Sequence, residues 1–153
     1  MTPHQLFPLP NTVAALCWLV LVLAPPASAW PRRVAVVVAL ALAMTYAALI
    51  GAFIGQGQGD FQSLAGVARL FEHDGLLLAG WVHYLAFDLL IGLWEREEAA
   101  RIGLARWWLL PCQLLTFLFG PIGWLAFMAA RQLQLRGGKS SGAGGPSTRV
   151  LAL

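Results

Sequence analysis

Hydrophobic residues fall in four long runs along the chain, and short polar segments separate these runs. The runs cover residues 6–24, 34–54, 75–94 and 107–130. A helix needs about 20 apolar residues to cross the hydrocarbon core of a membrane, and each run reaches or approaches that length. The pattern predicts an all-α membrane protein in which four transmembrane helices pack as a bundle, in a single domain over residues 1–136.

The polar segment between the second and third runs predicts one more, shorter helix. After the flexible run GQGQG, Asp60 can cap a helix whose apolar face consists of Phe61, Leu64, Ala68 and Phe71. Such an amphipathic helix lies in the membrane interface rather than crossing it. It serves either as a surface-anchored connector or as a lid over one end of the bundle.

The two ends of the chain carry different signals. The Gly/Ser-rich composition of residues 137–153 is typical of a flexible tail. The first apolar run has two interpretations. The small residues ASA at 27–29 imitate a signal-peptide cleavage site, whereas the absence of Lys and Arg from residues 1–10 and the Pro25-Pro26 pair favour an uncleaved helix.

The amino-acid composition is typical of a protein that is surrounded by lipid. Only 11% of the residues are charged and 59% are hydrophobic, with a mean hydropathy of +0.70, against about 25% charged residues in soluble domains. An ordinary soluble enzyme is therefore excluded. The net charge of +3 comes from scattered basic residues, which favours contact with an anionic membrane surface over nucleic-acid binding.

The basic residues do not by themselves determine the orientation. With four crossings, one side of the membrane receives Arg32, Arg33, Arg96, Arg101 and Arg106. The other side receives Arg69, Arg131, Arg136, Lys139 and Arg149. The positive-inside rule cannot choose between two equal sets.

Several chemistries lack the residues that they require. Cys17 and Cys112 are far apart inside apolar runs, so no zinc pattern or disulfide framework is present. Of His4, His73 and His83 only the last lies in a run, which argues against haem and against a di-iron cluster. Phosphate-loop and serine-nucleophile motifs are also missing. We therefore expect no metal and no cofactor, leaving acid-base chemistry on a lipid-soluble substrate, or no catalysis.

The third run, GLLLAGWVHYLAFDLLIGLW, is the only run with ionisable residues. Such groups are costly at membrane depth unless they are paired or hydrated, so His83 and Asp88 are the candidate catalytic residues. A separation of five residues turns the helix by about 500°, which leaves the two side chains about 140° apart around its axis. They therefore cannot pair directly on a regular helix. For His83, a neutral histidine that is hydrogen-bonded across the bundle is the alternative interpretation.

Five further residues are candidates for substrate binding. They are Trp81, Tyr84, Trp94, Gln113 and Thr116. The three aromatic residues share helix faces with the ionisable pair, and flat rings suit a rigid polyene or isoprenoid, although packing and interfacial anchoring are the commoner roles. The two polar residues lie one turn apart in the fourth run.

Three motifs carry a resemblance to a known family. They are WVHYLAFDL at 81–89, Trp94-Glu95, and PCQLLTFLFGPIG at 111–123. The region 59–128 resembles the abscisic-acid-deficient-four-like family of small membrane proteins from bacteria and plant plastids. In plants the resemblance implies conversion of violaxanthin to neoxanthin, an isomerisation in which an epoxide opens to a tertiary alcohol and a neighbouring proton is lost to give an allene. Carried over by position, His83 and Asp88 would supply the acid and the base, in either order.

Three hypotheses follow. The first is a protein of the bacterial inner membrane that binds or isomerises a carotenoid or other isoprenoid. The second is a noncatalytic adaptor that stabilises another membrane enzyme or a second copy of itself. The third is a proton-coupled carrier that uses Asp88.

Overall fold

The computed structural model describes residues 2–25 and 28–141, the last four of them by backbone alone. All regular elements in these ranges are helical, which confirms the all-α class. The elements are α1 (Pro3–Leu6), α2 (Pro8–Leu23), α3 (Trp30–Phe53), a 3₁₀ turn (Ile54–Gln56), α4 (Leu64–Phe71), α5 (Asp74–Ile102), α6 (Arg106–Phe119) and α7 (Pro121–Ser141).

Three stretches of helix are long and apolar enough to cross a membrane. They are Pro3–Leu23, Trp30–Gln56 and Asp74–Ile102, and they coincide with the first three predicted runs. Within an apolar window of 18 residues in each stretch, 28%, 22% and 56% is buried, respectively. Because α5 is by far the most enclosed of the three, it is the central helix of the bundle.

The contacts of α5 define the directions of its neighbours. The Trp81 indole donates to Asn11 and Arg96 bonds the carbonyl of Leu21, so α2 runs parallel to α5. Arg32 pairs with Glu97 near the start of α3, which therefore runs antiparallel to α5. We call the two ends of the bundle the Asp74 end and the Ile102 end.

Small residues on α5 allow this close packing. The core of the three long helices includes Ala79, Val82, Ala86 and Leu89 of α5, with Ala35, Ala39 and Leu42 of α3 and Trp18 and Leu21 of α2. A Cβ at Gly92 would lie 2.2 Å from the Trp18 ring. Only glycine admits the indole there without displacing it.

The charged run EREEAARIGLAR that follows Trp94 predicts a solvated helix and turn, but the structure buries part of it. Glu95, Arg96 and Glu98 are all buried, because α5 continues to Ile102 and other helices cover it. The Arg96 guanidinium donates to carbonyls at the end of α2, and so does that of Arg106. Pro25 cannot continue α2, so these cations satisfy carbonyls that would otherwise lack partners.

The predicted fourth transmembrane helix is not one continuous helix in the structure. The run 107–130 breaks at Gly120, whose φ of 49° and ψ of −101° are not helical, and Pro121 then begins a new helix. The first piece, α6, has 14 residues and is about 21 Å long, less than the roughly 30 Å of a hydrocarbon core. Within the described residues, three helices qualify as spans, not four.

The two pieces instead form an antiparallel hairpin beside the second half of α5. Residues 109, 112 and 127 share a buried cluster, and Gly123 lies against Thr116, so α7 returns along α6. Along α5, Trp94 contacts Phe127, Glu98 pairs with Arg131, and the Gly103 carbonyl accepts from Gln134. Both open ends of the hairpin therefore lie at the Ile102 end, while its tip reaches the middle of α5.

The short amphipathic helix is present as α4, but it starts later than predicted. Ser63 caps it, while Asp60 accepts from the backbone of residues 62 and 63 just before it. Leu70 is buried against the bundle, whereas Phe61 and Leu64 are 77% and 87% exposed. Two residues of the expected apolar face are thus largely exposed, and Phe61 lies before the first residue of α4.

Two expectations concern residues near the limits of the described ranges. Helix α7 extends through residues 137–141, which were expected to start a flexible tail. The rest of that tail, 142–153, lies outside the described residues. So do residues 26 and 27, the second of which is the first residue of the cleavage-like motif.

The hairpin predicts a strong effect of Gly123→Ala. The new Cβ would lie 2.0 Å from the Thr116 nitrogen and 2.4 Å from its Cα, and backbone atoms cannot rotate away. We expect the free energy of unfolding to fall by about 1–3 kcal/mol, the usual cost of overpacking, measured by thermal unfolding in detergent. Gly51→Ala is the matched control, since its Cβ meets nothing within 4 Å. Equal stability of the two variants would contradict the hairpin packing.

Candidate functional site

Asp88 lies in the middle of α5, 14 residues from either end of the helix, and is 6% exposed. The tip of the hairpin covers it. A Cβ at Gly120 would lie 2.9 Å from the Asp88 Oδ1 atom, and the positive φ of Gly120 also favours glycine. The Oδ2 atom has no hydrogen-bond partner among the described residues.

Glu95 is a second buried carboxyl, and the sequence analysis missed it. It is fully buried and lies two turns after Asp88 on the same face of α5. The Thr116 hydroxyl donates to Glu95 Oε1 at 2.7 Å, while Oε2 has no partner in the described part of the chain. The spacing of seven residues from Asp88 could have revealed it, but its place at the end of the apolar run suggested a solvated residue.

Gln113 and Thr116, expected to bind substrate, serve internal contacts in the structure. They are 1% and 0% exposed. The Gln113 amide donates to the Gly92 carbonyl at 3.2 Å, and the Thr116 hydroxyl lies 3.0 Å from the Cys112 carbonyl as well as contacting Glu95. Together they join α6 to α5 by polar contacts in an otherwise apolar interior.

A second missed group lies nearer the Ile102 end. Glu98 is buried and accepts hydrogen bonds from Arg101 on its own helix and from Arg131 on α7, at 2.6–2.7 Å. The carboxylate thus ties α7 to α5. Charged hydrogen bonds of this length are stronger than neutral ones, so this ion-pair group holds the hairpin in register.

His83 occupies a different side of α5. Its ring is exposed, packs on Phe87 at a centroid distance of 4.6 Å, and meets the edge of Tyr46 at 5.4 Å. The structure therefore does not bring His83 and Asp88 together. The angle of about 140° between the two side chains separates an outer face of α5 from an inner one.

The His83 groove is the cavity that this residue faces, between α3, α5 and α4. It has a volume of about 290 Å³ and opens to the outside of the bundle. Its lining consists of Tyr46, Ile50, Ile54, Phe61, Leu70, Phe71, Leu76, Gly80 and His83. Tyr46 and His83 are the polar side chains in this otherwise apolar lining.

The three aromatic candidates lie outside this groove. Trp81 is 41% exposed, stacks on Tyr84 at 5.4 Å and donates to Asn11 at 2.9 Å. Tyr84 is half-buried one turn before Asp88, on the inner side of α5. Trp94 packs edge-on against Phe127 of the hairpin. Each ring therefore has a packing partner within the bundle.

The described residues do not bring three His, Cys, Asp or Glu side chains together as a metal site. Cys17 and Cys112 are both free and buried. The chemistry that these residues offer is that of carboxyl, imidazole and phenol groups.

Thr116→Val tests the buried carboxyl pair. The variant keeps the side-chain shape but leaves Glu95 without its donor, which should cost about 1–3 kcal/mol of unfolding free energy. Thr45→Val is the matched control, because the Thr45 hydroxyl bonds only the carbonyl one turn back, that of Ala41, at 2.9 Å. Thermal unfolding in detergent should show a large loss for Thr116→Val, a small one for Thr45→Val, and recovery in Thr116→Ser. Equal losses at both threonines would contradict the importance of the Glu95 contact.

Comparison with known proteins identifies the family. The ABA DEFICIENT 4-like family model matches residues 5–127, a region that contains α2 to α6, the start of α7, the three buried carboxyl residues and the His83 groove. No curated protein and no solved structure shows significant similarity to the chain. The match covers well over half of the chain and confirms the resemblance seen in the motifs at 81–89 and 111–123. The chain therefore belongs to the ABA DEFICIENT 4-like family.

Proposed function

We propose that the protein is an integral membrane protein that binds one end of a carotenoid or another isoprenoid and isomerises it by acid-base chemistry of the epoxide-opening type. The observation that carries the proposal is the His83 groove, an apolar cavity with two polar side chains that opens to the outside of the bundle. Family membership supports the substrate class.

The size of the groove favours recognition of an end group. Small-molecule pockets have volumes of roughly 300–1,000 Å³, and the groove, at about 290 Å³, lies at the lower bound. This volume suits one cyclic end of an isoprenoid, while the remaining chain lies in the surrounding lipid. Exposed Phe61 and half-exposed Phe71 at the rim offer apolar contact to that chain.

His83 and Tyr46 can supply both proton transfers in one place. Opening an epoxide to an alcohol requires a proton on the oxygen as the carbon–oxygen bond breaks, and loss of a proton from a neighbouring carbon. In this proposal the Tyr46 phenol donates the first proton and the His83 imidazole accepts the second. The two rings pack edge-on at a centroid distance of 5.4 Å. The cycle closes when the imidazolium returns its proton to the phenolate beside it in the groove, and the product has the composition of the substrate.

Asp88 has a different role in this proposal. It lies on the inner side of α5 beneath Gly120, whereas His83 faces the groove. We assign it as a positioning residue that holds the hairpin tip against α5, and not as the acid. This separates the pair that the family motif suggested as partners in catalysis.

The test is expression in a bacterial host that makes epoxy-carotenoids, with chromatography of the cellular pigments and of those that co-purify. General acid-base groups contribute about 10²–10⁴-fold to rate, so His83→Gln and Tyr46→Phe should each lower conversion at least 10²-fold. Both variants should retain bound pigment. Asp88→Asn, which preserves the side-chain shape, should keep conversion within a few-fold of the wild type.

His4→Gln is the matched control, since it removes an exposed imidazole that bonds Asp74 and does not line the groove. An unchanged pigment profile on deletion of the gene in a pigmented host would overturn the isoprenoid assignment. If Asp88→Asn loses conversion while His83→Gln keeps it, the proposed groove site is wrong and the catalytic residues lie on the inner face of α5, which carries Asp88. Full function of every groove variant would favour the adaptor.

A further inference from the structure

The two ends of the bundle carry opposite charge. Among the residues whose side chains are described, the Ile102 end has seven arginines, which are Arg32, Arg33, Arg96, Arg101, Arg106, Arg131 and Arg136. Three glutamates accompany them, Glu95, Glu97 and Glu98. The Asp74 end has one arginine, Arg69, with Asp60, Glu72 and Asp74. One end is therefore net positive and the other net negative.

This asymmetry arises from the hairpin. A fourth transmembrane helix would carry Arg131 and Arg136 to the end where Arg69 lies. The turn at Gly120 returns them instead to the Ile102 end, where Arg131 pairs with Glu98. Among the described side chains, four crossings would divide the arginines five against three, whereas the hairpin divides them seven against one.

We propose that α6 and α7 form a re-entrant hairpin, which dips into the membrane and leaves on the side it entered, and that the arginine-rich end lies against the anionic headgroups of the cytoplasmic leaflet. The inference rests on the membrane insertion included in the proposed function, and it is independent of the substrate.

The backbone at the tip satisfies the condition for a helix break at membrane depth. Non-helical backbone inside a membrane persists only where protein buries it and its polar groups are bonded. The Gly120 amide donates to Thr116 at 2.8 Å, and its carbonyl accepts from Gly123 and Trp124 at 3.0 and 3.3 Å. Asp88 and α5 cover the tip from one side.

Aromatic and basic residues mark the same end as a membrane surface. Trp30, Trp107 and Trp108 are 50%, 74% and 54% exposed there, and tryptophan concentrates at the boundary between lipid and water. Arg33 and Arg136 are exposed and have no carboxylate partner among the described residues. In membrane proteins generally, an excess of Lys and Arg lies on the cytoplasmic side, where anionic lipids attract each basic residue by about 1 kcal/mol.

Labelling of single cysteines in intact bacterial cells tests both parts of the inference. The background is the full chain with Cys17→Ala and Cys112→Ala. Ala29→Cys reports on the Ile102 end, Gln62→Cys on the Asp74 end, and Gly137→Cys on the open end of the hairpin. All three positions are exposed, and a Cβ at Gly137 meets nothing within 4 Å.

A membrane-impermeant maleimide should label Gln62→Cys in intact cells, and should label Ala29→Cys and Gly137→Cys only after the membrane is opened. The background with Cys17→Ala and Cys112→Ala, which has no cysteine, gives the blank. Labelling of Gly137→Cys together with Gln62→Cys would show that the hairpin crosses, and would overturn re-entrance. Labelling of Ala29→Cys and Gly137→Cys alone in intact cells would overturn the cytoplasmic assignment. Release of the protein from membranes by alkaline carbonate would instead overturn membrane insertion, and with it the proposed function.

Discussion

The structure depends on the contact between Gly120 and Asp88. A helix that breaks halfway through an apolar bundle exposes polar backbone, and a carboxyl at the same depth lacks water, so each is costly alone. Here the absence of a side chain at Gly120 lets the turn close over the carboxyl, while Thr116 beneath the turn bonds Glu95. The break and the buried acids therefore lie together, and α6 and α7 can pack side by side along α5.

This contact also divides the polar groups of α5 into two environments. The hairpin and α2 enclose the face with Asp88 and Glu95, whereas α3 and α4 leave His83 beside an open groove. The inner groups bond other helices and fix their positions. The outer histidine remains accessible from outside the bundle. A single helix thus combines an internal polar framework with one side of an open groove, because side chains five positions apart point in different directions.

The arginines serve the same architecture at the Ile102 end. Arg96 and Arg106 bond the carbonyls left free where α2 stops, and Arg131 joins Glu98 across to the hairpin. These contacts explain why charged residues directly after an apolar run are buried instead of solvated. Their partners come from helices more than 30 residues away in sequence, so hydropathy along the chain contains no sign of them.

The sequence alone determined the all-α class, the first three long helices, the amphipathic connector and the family, because 20-residue apolar runs and motifs such as WVHYLAFDL are local signals. It also predicted that His83 and Asp88 would face different ways, which follows from helix geometry. The hairpin, the buried Glu95 and the single basic end were decided only by tertiary structure. An apolar run has the same hydropathy whether it crosses a membrane or turns back at a glycine, and packing against Asp88 and Glu98 makes that choice.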